Sequence, residues 1–232
     1  PADVEGREWY KAKIAEAGLD YKIDGAGNQS AILYSNPKTE KHILAGSHLD
    51  SVPNGGRYDG ALGVLVAFEA LRTLKDNGIT PAITLEAVNF TDEESAIMGL
   101  MGSRAMIGQL QAEHFDRSKI GAEELTQRLE AVGITRESML QAKRDDVMAW
   151  IELHIEQGTR LEESKLDIGV VNAIVGIRAF HVTFTGEAAH AGTKPMTLRK
   201  DALWGASQFV LRAKQHIIDH YLPGVCNVGK IT

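Results

Sequence analysis

The chain has 232 residues, is 44% apolar and 24% charged, and carries a formal net charge of −6. That length allows one large domain, or one domain and part of a second, and the composition is that of a folded globular protein. No basic patch points to nucleic acid, no apolar run reaches membrane-spanning length, and the N-terminus lacks a charged-then-apolar signal pattern, so neither nucleic acid nor membrane is an expected partner.

The lone cysteine, Cys226, leaves no partner for an intrachain disulfide and fits a cytoplasmic setting. The chain starts at Pro1 rather than at a methionine, and residues 228–232 read as the first residues of a strand. A fragment is therefore expected.

Residues 4–17 read as a helix closed by Gly18, and Asp24-Gly25-Ala26-Gly27-Asn28 as a turn. An apolar run over 42–47 suits a buried strand. A helix follows Asp59, with Leu62, Leu65, Val66, Ala70 and Leu74 on one stripe and Pro81 beyond its end. Residues 83–90 read as a strand, and 102–139 as helical segments broken at Gly108, Gly121 and Gly133. Strands are expected at 147–154 and 168–175. Strand–helix alternation through residue 176 predicts an α/β domain, with a largely parallel sheet and flanking helices. Beyond it, an alternating strand at 177–185 and a helix at 199–219, with Leu203, Ala206, Val210, Ala213 and Ile217 on one face, read as part of a smaller α+β domain. The expected boundary is near Gly176, giving one domain at 1–176 and part of a second at 177–232.

The chemistry-bearing residues stand at strand ends. His48 and Asp50 follow the 42–47 run, and residues two apart in extended chain point the same way, so the Asp50 carboxylate can orient the imidazole. Taken alone, His48 reads more readily as a hydrogen-bonded structural histidine than as a metal ligand. Asp59 lies among glycines and reads either as a helix cap or as a carboxylate with two oxygens to offer. The acids Asp92, Glu93 and Glu94 follow an apolar strand. They read either as a solvated turn or as a cluster that a cation relieves, with one acid on a metal and its neighbour serving as a base. His154 again follows an apolar strand. A parallel sheet brings three such ends together. Histidine and carboxylate ligands suit zinc, manganese, cobalt or nickel, and a bridging aspartate holds two ions about 3.5–4 Å apart. His190 stands apart in the second domain, where an exposed loop histidine is the plainer reading.

The segment Gly46-Ser47-His48-Leu49-Asp50-Ser51-Val52-Pro53-Asn54-Gly55-Gly56-Arg57-Tyr58-Asp59-Gly60 resembles the metal-site signature of the hydantoinase/carbamoylase family of amidases. So do Thr91-Asp92-Glu93-Glu94, Leu100-Met101-Gly102-Ser103-Arg104, Glu152-Leu153-His154-Ile155-Glu156-Gln157-Gly158 and His190-Ala191-Gly192-Thr193-Lys194-Pro195-Met196. The resemblance covers essentially the whole chain, with the motifs in family order. The family groups N-carbamoyl-L-amino-acid hydrolases, β-ureidopropionases and allantoate amidohydrolases with the dinuclear exopeptidase-like metallohydrolases.

The resemblance implies hydrolysis of a linear amide bond in a ureido acid by a hydroxide held between two divalent ions. His48 and His154 match end ligands, Asp59 the bridging ligand, Glu94 the ligand acid, Glu93 the general base and Asp50 the acid that orients His48. Gln157 matches a substrate-pocket position. His190 matches a lid histidine that reaches the partner subunit's site in a homodimer formed through the lid. Two departures stand out. The family runs from its paired acids to a glycine and an aromatic, where this chain has Ser95-Ala96-Ile97-Met98. The family's last metal histidine, and the lid Asn and Arg that hold the substrate carboxylate, fall beyond Thr232, so an incomplete metal site and an unfinished lid sheet are expected. The rival readings are a dipeptidase or aminoacylase, and a non-catalytic, metal-stabilised binding protein.

Overall fold

A computed structural model of the chain describes residues 2–232. It divides into two compact units, one running to Gly169 and the other from Val170 to Thr232. The first unit is built on a five-stranded sheet of order β1-β2-β4-β3-β5. The strands are β1 (Asp20–Ile23), β2 (Gln29–Leu33), β3 (His42–His48), β4 (Thr84–Phe90) and β5 (Val147–Ile151). β4, β3 and β5 are parallel, as the alternating pattern predicts. β1 and β2 form an antiparallel hairpin, and β2 adds antiparallel to β4. The hairpin turns at 24–28, where Asp24 Oδ1 accepts the amide protons of Ala26 and Asn28 at 2.9 Å each. The turn is the one the sequence marks; its two flanking strands are too short and too mixed in pattern to stand out beside it.

Helices α1 (Ala2–Glu16) and α2 (Ala61–Asp76) cover one sheet face. Tyr10, Ile14, Val64, Ala67, Phe68 and Leu71 pack there against Ala31 and Ala87. Leu44 and Val88 point to the opposite face, where Met106 at the end of α3 (Met101–Met106) meets them. Short helices α4 (Ala112–Asp116), α5 (Ala122–Glu130) and α6 (Arg136–Leu140) close a satellite core around Phe115, Leu125, Leu129 and Met139. The breaks between these helices fall at Gly108, Gly121 and Gly133, each with a positive φ, as expected.

The buried stripe of α2 differs from the expected one. Val64, Ala67, Phe68 and Leu71 face the sheet, whereas Leu65 and Val66 are exposed. The first half of this helix, residues 61–68, is apolar on all sides, so periodicity there does not choose a face. Gly63 chooses it: a Cβ there would lie 2.5 Å from the Leu153 carbonyl oxygen and 2.7 Å from the Ser47 Cβ, so only glycine lets the helix approach. Replacing Phe68 with Ala is expected to cost about 3–5 kcal/mol in chemical denaturation, and replacing Leu65 with Ala less than about 0.5 kcal/mol. Equal losses would place the wrong face on the sheet.

In the second unit, α7 (Ala202–His220) begins with the Asp201 side chain accepting from the Leu203 amide. Ala206, Val210, Ala213 and Ile217 lie half-buried along one side, as predicted, while Leu203 is exposed. The strands expected at 168–175, 177–185 and 228–232 are not formed among the described residues. A strand needs a neighbour to take its backbone hydrogen bonds, and alternation in the sequence does not supply one. No helix among the described residues is long and apolar enough to cross a membrane.

Candidate metal centre and catalytic site

Parallel pairing puts the carboxyl ends of β3, β4 and β5 side by side, with His48 in register with Phe90. His48 is the last residue of β3 and is buried. Its Nδ1 lies 2.9 Å from the backbone oxygen of Asp50, which fixes the proton on Nδ1 and leaves the Nε2 lone pair directed away. This corrects the expected role of Asp50: its Oδ1 is 3.7 Å from the imidazole. The Asp50 carboxylate instead accepts the amide protons of Glu93 and Glu94 at 3.2 and 3.0 Å. It ties the β3 end to the acid-bearing turn.

Asp59 is not a helix cap. Gly60 holds the N-cap position of α2, with φ +66° and no side-chain capping bond. A Cβ at Gly60 would lie 2.4–2.5 Å from the His48 ring, so the sequence needs glycine here to seat the imidazole. Both Asp59 oxygens turn to the other polar cluster. Oδ1 is 3.2 Å from His154 Nε2, and Oδ2 accepts from the Gln157 side chain. His154 repeats the His48 arrangement, with Nδ1 2.7 Å from the Ile155 carbonyl oxygen.

The ligand-type atoms of His48, Asp59 and His154 lie within 4.8 Å of one another, and so do those of His48, Glu93 and Glu94. His48 is common to both groups; Asp59 and Glu94 do not fall into one. Among the described residues, no Lys or Arg forms an ion pair with Asp59, Glu93 or Glu94. The donor set fits a divalent cation: two imidazoles with Nδ1 tied to carbonyls, and carboxylates without a protein cation to neutralise them. Glu93 Oε2 stands 3.4 Å from His48 Nε2. Burial pushes the Glu93 carboxyl above the ordinary range; His48 pulls it back, and Glu94, Asp50 and Glu152 push it up again.

His190 belongs to the second unit. Its Nδ1 accepts from the Gly192 amide at 3.1 Å, which places the proton of the neutral ring on Nε2. Arg199 donates to the carbonyls of His190 and Ala191 and so fixes the loop.

Several residues that shape the site belong to none of the site motifs. Asn89 Oδ1 accepts from the Leu49 amide at 2.8 Å and its Nδ2 donates to buried Gln29. Asn28 Oδ1 accepts from the Thr91 amide at 3.0 Å. A polar Asn89 inside the apolar strand was the available clue, since buried amides need partners.

The sequence profile of peptidase family M20/M25/M40 matches residues 44–227. The chain belongs to that family. Among its relatives, an N-carbamoyl-L-amino acid amidohydrolase of Geobacillus stearothermophilus is 40% identical over 201 residues, covering 85% of this chain and 49% of the relative. An allantoate amidohydrolase of Bacillus subtilis (strain 168) is 39% identical over 216 residues, covering 88% of this chain and 52% of that protein. The crystal structure of a hydantoinase/carbamoylase family amidase from Burkholderia phymatum matches with a TM-score of 0.75 at 32% identity, covering 99% of this chain and 57% of that one. The resemblance read from the motifs is thus supported by profile, relatives and fold. The chain spans about half the length of the curated relatives it matches.

Proposed function

We propose that the whole protein is a metal-dependent amidohydrolase that cleaves a linear C–N bond in N-carbamoyl-L-amino acids or related ureido acids, allantoate included. The observation that carries this reading is the paired histidine geometry. His48 and His154 both commit Nδ1 to a backbone carbonyl and keep Nε2 for a ligand, with a half-buried glutamate, Glu93, beside His48. The names of the family relatives agree with it.

In this reading His48, Asp59, Glu94 and His154 hold two divalent ions, of zinc, manganese, cobalt or nickel. Bound there, the ions supply Lewis-acid polarisation of the ureido carbonyl and ease deprotonation of water. Glu93 takes the proton of the attacking water and returns it to the leaving nitrogen. Asp50 holds the Glu93 and Glu94 amides in place. Gln157 orients Asp59 and lines the substrate pocket. His190, with its proton on Nε2, donates to the developing oxyanion from the second subunit of a homodimer joined through the lid. A cytoplasmic setting accords with the single cysteine.

The test is turnover by the full-length protein, loaded with manganese or zinc, on N-carbamoyl-L-amino acids, allantoate and dipeptides side by side. Metal-dependent ammonia release from a ureido substrate is expected. Cleavage of dipeptides alone would move the protein to the peptidase branch, and silence on all three would favour a binding protein.

A further inference from the structure

The acid triplet is not a row of equivalent carboxylates. Glu93 and Glu94 face His48, but Asp92 turns back and is only 7% exposed. Its Oδ1 accepts the amide proton of Ile97 at 2.9 Å. Its Oδ2 accepts those of Met98 at 2.7 Å and Gly99 at 2.9 Å. Three successive amides thus converge on one buried carboxylate, and no side-chain cation shares it among the described residues.

Around that carboxylate the backbone closes on itself. Met101 donates to the Asp92 carbonyl, Leu100 to that of Glu93 and Gly102 to that of Thr91. Asp92, Ser95 and Leu100 all have left-handed backbones, with φ of 49°, 63° and 51°. Such residues cost about 1–3 kcal/mol each and persist only where their surroundings over-determine them. The conformation at Asp92 is the bend by which the chain leaves β4 and delivers the next side chain, Glu93, to His48. This is also the stretch where the sequence, Ser95-Ala96-Ile97-Met98, departs from the glycine and aromatic expected of the motif.

We propose that Asp92 is a positioning residue for Glu93: its buried carboxylate gathers the 97–99 amides, locks the strained 92–100 loop, and thereby fixes the base against His48. The inference rests on the reading of Glu93 as the general base. Asp50 holds the same turn from the β3 side through the Glu93 and Glu94 amides. The turn is therefore clamped between two carboxylates, each acting through the backbone.

Asp92→Asn tests it in the full-length, metal-loaded enzyme. The substitution keeps size and tolerates a left-handed backbone. It replaces one acceptor oxygen with an NH2 that must face an amide proton. The expected result is a fall in kcat of about 10²-fold, the scale of a misplaced catalytic group, with KM and bound metal each within about twofold of wild type. Amide exchange should accelerate at 93–94 as well as at 97–99. A kcat within about twofold of wild type would overturn the proposal, and so would exchange changes confined to 97–99. If wild type shows no metal-dependent turnover, the functional reading fails separately, and the exchange pattern at 93–94 still decides whether Asp92 positions that turn. Should the variant not fold, unprotected amides at 97–99 in the wild-type protein would overturn the proposal, and strongly protected ones would uphold the carboxylate clamp on which it depends.

Discussion

Glu93→Gln is expected to abolish most turnover while leaving bound metal unchanged. The amide has the shape of the acid but takes no proton, and general-base catalysis is worth about 10²–10⁴ in rate. Metal should persist because the cluster of His48, Asp59 and His154 does not include Glu93. The Glu93 and Glu94 amides would still be held by Asp50, so the turn keeps its shape. Measuring kcat and metal content on the same preparation separates the two roles. Near-normal turnover would remove Glu93 as the base, and loss of metal would make it a ligand.

A large stability effect is also expected far from the site, at Arg144. Glu86 sits in the middle of β4 with no solvent exposure. Arg144 grips both its oxygens at 2.8 and 2.6 Å and also bonds Asp146 at 2.9 and 2.6 Å, while His42 Nδ1 lies 2.5 Å from Glu86. His42, Glu86 and Asp146 also cluster as a metal site would. The guanidinium already supplies their positive charge. The network links β4 and β3 to the start of β5, the strand that leads to His154.

Arg144→Met leaves a buried carboxylate without its partner and should cost about 3–5 kcal/mol at neutral pH. Replacing both Arg144→Met and Glu86→Gln should restore much of that loss. The pH dependence has a definite sign. Burial alone would raise the Glu86 carboxyl, but the hydrogen bonds from Arg144 and then His42 outweigh it and hold it below its ordinary 4.5. A depressed carboxyl stabilises the fold above its unfolded value, and that contribution disappears as pH falls through the lower folded value. The difference between wild type and Arg144→Met, followed by urea unfolding, should therefore shrink as pH drops below about 4.5. A difference that is constant with pH would mean that Glu86 is not ionised in the fold.

Much of this site is legible in the sequence because its parts sit at predictable places. His48, Glu93, Glu94 and His154 each follow an apolar run that forms a strand, and parallel pairing of β4, β3 and β5 does the rest. What the sequence conceals is which atom meets which. Asp50 stands two residues from His48 and reads as its carboxylate partner, yet a backbone carbonyl takes that bond and the carboxylate serves Glu93 and Glu94. Backbone acceptors leave no mark in residue identity. The Glu86–Arg144 pair is 58 residues apart, and neither residue belongs to a motif. The α2 face turns on one glycine whose effect is steric and therefore invisible to periodicity. In the second unit the alternation at 177–185 is real, but exposed Ile177 and Phe180 show that pattern without a pairing partner does not make a strand.

The most direct measurement of the two-ion centre is metal stoichiometry of the full-length protein, after zinc or manganese loading and removal of free metal, compared with Asp59→Ala. If Asp59 bridges the ions, wild type retains about two per chain and the variant fewer than about one. Two ions retained without Asp59, or none bound by wild type, would contradict the assignment.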